Sequence, residues 1–177
     1  MSQLTLLNAS CAEQSVDAVV NAANRGLMAG GGICGVIFRK AGYEELENAC
    51  AQYKTPLKDG DAVITPAFGM KNARYIIHAV GPNFAVSPTA FQSLFDAYYN
   101  SLLVLRNNAL HSISFPLISS GIYGGFLPDP AGESAKQCCL AYNRFVADYP
   151  DYHIDVKLCA FTEKEMRAAR AQFAIAK

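Results

Sequence analysis

The sequence predicts an α/β protein in which a mixed β-sheet lies between helical layers. Short apolar runs that are typical of buried strands alternate with segments of helical periodicity along the chain. Neither an internal repeat nor a low-complexity linker interrupts this alternation. The 177 residues, 51% hydrophobic and 17% charged, suffice for a full hydrophobic core, so we expect one domain over residues 1–177.

The predicted strands are short runs rich in Val, Ile and Leu, most of them bounded by Asn, Gly or Pro. Pro116 falls inside the fifth run, which predicts a bend or a position whose amide is not needed in the ladder. The six runs are Leu4 to Leu7, Val16 to Asn21, Ala62 to Thr65, Tyr75 to Val80, Ile113 to Ile118 and Ile154 to Phe161.

The predicted helices carry apolar residues at helical spacing. Gly42 is expected to end the first of them, and Thr162 with Glu165 forms a capping box at the start of the last. The five segments are Ile33 to Ala41, Tyr43 to Tyr53, Thr89 to Leu110, Pro130 to Val146 and Thr162 to Phe173.

Charge and cysteine content exclude several classes of function. Fifteen basic and fifteen acidic residues give a net charge of zero, which argues against strong nucleic-acid binding. We expect no membrane span and no signal peptide, and we place the protein in the cytosol, or in that of a host cell. The six cysteines form no C-x-x-C pair and the three histidines are scattered, so we expect buried thiols, no metal site and no cofactor.

Two glycine-rich loops carry the functional prediction. The first glycine loop, residues 30–32, precedes a helix, and the second glycine loop, residues 119–125, follows a strand. Ligands of such sheets bind outside the carboxyl ends of the strands. Loop amides and a helix N-terminus favour an anion, so two loops facing one crevice predict a site for two phosphates or a pyrophosphate.

The run from Gly30 to Gly35 also satisfies the dinucleotide fingerprint G-x-G-x-x-G. In a Rossmann unit the strand leads straight into the first glycine, whereas residues 23–29 intervene here. A second helix, rather than a strand, follows the first. The surrounding pattern therefore argues against a nicotinamide enzyme.

Several polar residues have both a functional and a structural interpretation. Asn21 and Asn24 follow a strand, where asparagine often forms turns, and Ser119 and Ser120 could likewise cap a turn. No G-x-S-x-G elbow surrounds these serines, which disfavours a serine hydrolase. His78 lies in an apolar strand and is better explained as a satisfied core histidine than as a catalytic one.

Four motifs in this sequence resemble those of the macro domain family, in the family's order and spacing over nearly the whole chain. They are Val-Asp-Ala-Val-Val-Asn-Ala-Ala-Asn at 16–24, the triple glycine with Ile33 and Gly35, His-Ala-Val-Gly-Pro at 78–82, and Phe-Pro-Leu-Ile-Ser-Ser-Gly-Ile-Tyr-Gly at 115–124. The resemblance implies a three-layer α/β/α sandwich with a mixed central sheet that binds ADP-ribose. Many members remove ADP-ribose from modified proteins or deacetylate O-acetyl-ADP-ribose.

The resemblance also implies the site residues. The two glycine loops match those that hold the diphosphate, Asn24 matches the asparagine at the distal ribose, and Phe161 falls near the position that stacks on adenine. From sequence alone Phe161 is either a core residue or part of the crevice mouth. The implied ligand-binding residues are Asn8, Ala9, Ala22, Asn24, Gly30, Gly31, Gly32, Ile33, Cys34, Ser119, Ser120, Gly121, Ile122, Tyr123 and Phe161.

The chain departs from the family pattern at two positions. Bacterial and mitochondrial-type hydrolases of the family have an aspartate at the position of Cys34, where it helps to activate water. Some viral members lack this aspartate and still hydrolyse. Asn8 replaces the aspartate that reads adenine, so we expect weaker purine selection.

We predict a monomer that binds ADP-ribose and mono-ADP-ribosylated proteins and hydrolyses ADP-ribose from acidic side chains, with Asn24, Gly32 and Cys34 at the reacting end. A lowered pKa of the Cys34 thiol is one expectation for a helix start, although a packing thiol is favoured over a nucleophile. The alternative function is a non-catalytic reader of ADP-ribose.

Overall fold

Alternating apolar side chains along the second strand require packing layers on both faces of the sheet. The computed structural model describes residues 1–176. Ala18 and Val20 point into one hydrophobic core, and Val19 between them points into the other. All three side chains are fully buried, so this strand lies inside the sheet.

The sheet has six strands in the order β1-β6-β5-β2-β4-β3. All neighbouring strands are parallel except β3 and β4, which pair antiparallel, so the predicted mixed sheet is confirmed. The strands are β1 (Gln3–Asn8), β2 (Val16–Ala23), β3 (Ala62–Pro66), β4 (Ala73–Val80), β5 (Ser112–Pro116) and β6 (Asp155–Ala160).

Helices cover both faces of the sheet. One core contains side chains of α3, α4 and α5, among them Tyr98, Phe145 and Phe173. The other core contains side chains of α1 and α2, among them Ile37 and Leu46. The predicted three-layer α/β/α sandwich is therefore confirmed, with helices α1 (Gly32–Ala41), α2 (Tyr43–Cys50), α3 (Ala90–Asn107), α4 (Pro130–Asp148) and α5 (Glu163–Ala176).

Three local predictions are corrected by the structure. Strand β2 continues past Asn21, the last residue of the predicted run, to Ala23, and Asn21 lies opposite His78 of β4. Helix α2 ends at Cys50, and the hydroxyl of Tyr53 instead donates to the Ile64 carbonyl of β3. Strand β5 ends at Pro116, which has no amide hydrogen to continue a ladder.

The capping box at the start of α5 is confirmed. Glu165 N donates to Thr162 Oγ1 at 3.1 Å, and Thr162 N donates to Glu165 Oε1 at 3.0 Å. These reciprocal bonds satisfy two backbone donors at the helix entry. None of the helices within residues 1–176 combines the length and apolar character needed to cross a bilayer.

Candidate functional site: a cleft between two glycine loops

A cleft of about 790 Å³ opens at the edge of the sheet where the parallel strands end. Its lining includes the residues that follow β1, β2, β5 and β6, represented by Ala9, Asn24, Leu117 and Phe161. This is the edge at which open α/β sheets bind ligands, and the volume is typical of a site for a small organic molecule.

The cleft lining has almost no side-chain charge. Among the described residues that line it, Glu165 alone is charged. The other polar groups are a few Ser, Asn and Tyr side chains and the backbone of the two glycine loops. A phosphate bound here would therefore be held by backbone amides rather than by Lys or Arg.

The first glycine loop is connected to β2 by a turn that the Asn24 side chain holds closed. Its Oδ1 accepts from Met28 N and its Nδ2 donates to Met28 O, both at 2.9 Å. Gly31 precedes helix α1 without any side-chain cap. A Cβ on Gly31 would meet no atom within 4 Å. The first amides of α1 thus lack a capping side chain and border open space, as an anion site requires.

The second glycine loop is held by its own serines. Ser119, at φ 60°, donates from its hydroxyl to Pro82 O at 2.7 Å, and Ser120 Oγ donates to Leu117 O at 2.7 Å. Phe84 N donates to the carbonyl of Tyr123 at 2.8 Å, which ties the loop to the chain after β4. Ser120 therefore caps a turn, as one of its two interpretations expects, whereas Ser119 anchors the loop to the segment that follows β4.

Cys34 lies in the first turn of α1 and lines the cleft, although its side chain is buried. Asn21 Nδ2 donates to its sulfur at 3.7 Å, and the thiol donates to Met28 O at 3.6 Å. Burial raises the pKa of the Cys34 thiol and outweighs the hydrogen bond from Asn21. The expectation of a lowered pKa is wrong, and the interpretation as a packing thiol is favoured.

His78 lies beneath the cleft without lining it. The ring is fully buried, with Nδ1 3.1 Å from Asn21 Nδ2 and Nε2 3.0 Å from Thr65 Oγ1. Burial lowers the pKa of this imidazole to about 4. The prediction of a satisfied core histidine is confirmed.

The opposite end of the cleft is bordered by Phe161, which is 74% exposed and directly follows β6. The structure thus places Phe161 at the cleft mouth and not in the core. Asn8, at the end of β1, is not among the residues that line the cleft, so its predicted contact with the ligand stays a prediction. Its Nδ2 donates to Ala160 O at 2.9 Å and Phe161 O at 3.2 Å, so two carbonyls at the end of β6 engage the amide.

With that exception, every ligand-binding residue predicted from the sequence lies in the cleft lining: Ala9, Ala22, Asn24, Gly30, Gly31, Gly32, Ile33, Cys34, Ser119, Ser120, Gly121, Ile122, Tyr123 and Phe161. Sequence reasoning missed ten further lining residues. Five of them lie in the motifs that carried the family resemblance, and those motifs could have identified them. The ten are Ser10, Cys11, Ala23, Val36, Gly81, Pro116, Leu117, Ile118, Cys159 and Glu165.

The fold and the site define an α/β/α protein with a cleft at the carboxyl edge of its parallel strands, lined by two glycine loops and by one charged side chain, Glu165, among the described residues. The sequence model of the Macro domain matches residues 20–133 of this chain. The chain belongs to the macro domain family.

Relatives agree with this assignment in sequence and in structure. An O-acetyl-ADP-ribose deacetylase of Salmonella typhimurium is 39% identical, over 84% of this chain and 82% of its own. The Oceanobacillus iheyensis macrodomain with ADP superposes with a TM-score of 0.88 at 29% identity, over 98% of this chain and 91% of its own. A Trypanosoma brucei macrodomain in complex with ADP-ribose gives 0.81 at 26% identity, over 97% and 68%.

Proposed function

We propose that the cleft binds ADP-ribose and that the protein hydrolyses ester bonds at its distal ribose. The substrates would be O-acetyl-ADP-ribose and proteins mono-ADP-ribosylated on acidic side chains. The observation that carries the proposal is the pair of glycine loops on one cleft. At Gly31 and at Gly121 an added Cβ would meet no atom within 4 Å, so unfilled space lies beside both loops. The deacetylase relative and the ligand-bound macrodomains support the same assignment.

In the proposed pose the diphosphate lies between the two glycine loops and accepts hydrogen bonds from their amides. The adenine lies at the end bordered by Phe161, whose exposed ring offers a stacking surface. The distal ribose lies at the other end, beside Asn24. This orientation puts the ester bond near Cys34 and away from Glu165.

Asn24 retains hydrogen-bonding capacity for this role. One amide hydrogen and one carbonyl oxygen lone pair are used on Met28. A carboxamide has two hydrogens and two lone pairs, so one of each remains for a ribose hydroxyl or a water molecule. The Met28 contacts hold the amide in place, which reduces the entropy lost on binding.

The proposed reaction adds water across the ester. The water oxygen attacks the carbonyl carbon, the bond to the ribose oxygen breaks, and that oxygen leaves with a proton, giving ADP-ribose and a carboxylic acid. No carboxylate lies beside Cys34 among the described lining residues. A phosphate oxygen of the substrate would hold the water instead, and the acceleration would come from positioning and from amide contacts to developing charge.

A second candidate function is a reader that binds ADP-ribose without turnover. The absence of a carboxylate at Cys34 and the raised pKa of its thiol favour this alternative, because neither a base nor a thiolate is at hand. The retained Asn24 turn favours the enzyme.

Calorimetric titration with ADP-ribose followed by turnover assays on both ester substrates tests the proposal. Asn24→Ala should reduce release by roughly 100-fold while weakening ADP-ribose binding by less than about tenfold. Asn48→Ala, at an exposed position of α2, is the matched control and should change neither. A parent protein that binds tightly but releases nothing would be a reader, and one that does not bind ADP-ribose would contradict both functions.

A further inference from the structure

We infer that Glu165 sets the base preference of the cleft by accepting a hydrogen bond from the 6-amino group of adenine. This inference rests on the proposed function, because it assumes that a nucleoside diphosphate occupies the cleft. It assigns a specificity-determining role to a residue outside the motifs that carried the family resemblance.

Glu165 lies at the base end of the cleft. It belongs to the first turn of α5, four residues after Phe161, and both residues line the cleft. Its carboxylate is the one charged side chain in the described part of the lining. A carboxylate has no donor, so it favours base edges that present an N–H group.

The capping box fixes one oxygen of this carboxylate. Glu165 Oε1 accepts from Thr162 N at 3.0 Å and from Thr162 Oγ1 at 2.9 Å. No donor within residues 1–176 reaches the second oxygen, Oε2, in a hydrogen bond or an ion pair. The side chain is therefore held by one oxygen with the other available to a ligand.

Glu165 is the one side chain in the described lining whose polar group accepts hydrogen bonds without being able to donate one. Asn8 lies outside the lining, and its amide is engaged by the carbonyls of Ala160 and Phe161. Ser10 lines the cleft, but its Oγ accepts from Ala12 N as the cap of a short 3-10 turn. A hydroxyl can also donate, so Ser10 does not by itself favour an amino group over a carbonyl.

The chemistry of Oε2 distinguishes purines at position 6. Adenine presents an amino donor there, whereas hypoxanthine and guanine present a carbonyl oxygen, which would place two acceptors opposite each other. Hydrogen bonds to charged groups contribute more than neutral ones, so one such contact gives measurable discrimination. Among purine nucleotides, the cleft is consequently expected to prefer those that contain adenine.

The test removes the 6-amino donor of the ligand and the carboxylate acceptor of Glu165 separately. Calorimetry compares ADP-ribose with its 6-deamino analogue, in which hydrogen replaces the amino group. Glu165→Gln is the variant of choice because a capping box accepts Gln, and the bonds to Thr162 then orient the amide with its NH2 in the place of Oε2. Glu163→Gln, an exposed residue of the same helical turn that does not line the cleft, is the control.

Wild type and Glu163→Gln should each bind ADP-ribose about tenfold more tightly than the analogue, and Glu165→Gln should bind the two ligands within about twofold. Equal affinities in the wild type, or a preference that survives in Glu165→Gln, would overturn the assignment of Glu165 while leaving the proposed function intact. Failure of the wild type to bind either ligand would overturn the proposed function and this inference with it.

Discussion

The two glycine loops border one cleft but are held in place differently. In the first, the side chain of Asn24 closes the preceding turn through Met28, and helix α1 continues from Gly31. In the second, the backbone packs against a neighbouring segment. Gly125, at φ 57°, lies so close to that segment that an added Cβ would be 2.6 Å from Ala85 N.

Glycine therefore has two different roles in the two glycine loops, although the loops resemble each other in sequence. At Gly31 and Gly121 the missing side chain leaves room that nothing in the described chain fills. At Gly125 it permits a left-handed backbone and a close approach of two segments, which stabilises the fold itself. The difference predicts that substitutions at these positions separate folding from binding.

The largest effect is expected for Gly125→Val. A β-branched residue is strained at this φ, and its Cβ would overlap the backbone at Ala85. We expect a loss of about 3 kcal/mol or more in the free energy of unfolding, measured by urea denaturation monitored by circular dichroism. A variant as stable as the wild type would mean that the second loop is not fixed by this contact.

A smaller effect on stability, with the main effect on binding, is expected for Gly31→Val. The backbone at Gly31 is extended and the space for a side chain is open, but Val is a poorer N-cap residue than Gly, so the free energy of unfolding should fall by only about 1 kcal/mol. Affinity for ADP-ribose should fall by about tenfold or more, because the new side chain occupies the proposed phosphate space. Undiminished affinity in calorimetry would reject the placement of the diphosphate beside the first loop.

Sequence reasoning predicted the fold well because the periodicity that identifies each element is local. The apolar run of β2 and the capping box of α5 depend on neighbours within a few residues, and both are confirmed. The glycine loops could also be placed on one cleft, because strands deliver them to a common edge.

The remaining features depend on contacts between distant segments. The pKa of Cys34 is set by burial beneath the first loop, and Asn8 is engaged by carbonyls of β6, about 150 residues away along the chain. Glu165 reaches the cleft because the last helix begins beside Phe161. No local sequence pattern predicts that Glu165 lines the cleft, because the capping box alone explains a glutamate at this position.

The smallest predicted effect is the loss of folding stability on acidification. It is expected to arise beneath the first glycine loop only. The first loop is linked through Cys34 and Asn21 to His78, whereas the second is anchored by the hydroxyl of Ser119 on Pro82 O, where nothing titrates. Burial lowers the pKa of His78 to about 4 from an ordinary value of 6.5. The unfolded chain therefore binds a proton as the pH falls through 6.5, and the folded chain does not until about pH 4.

The stability that His78 contributes is complete above about pH 6.5 and decreases between there and about pH 4. From pH 7 to pH 6 the free energy of unfolding should drop by less than about 1 kcal/mol, measured in urea at each pH. His78→Gln should lose this component of the pH dependence, and His153→Gln, at an exposed position, should keep it. If His78→Gln retains the full slope, the acid sensitivity arises elsewhere, and the two loops do not differ in this respect.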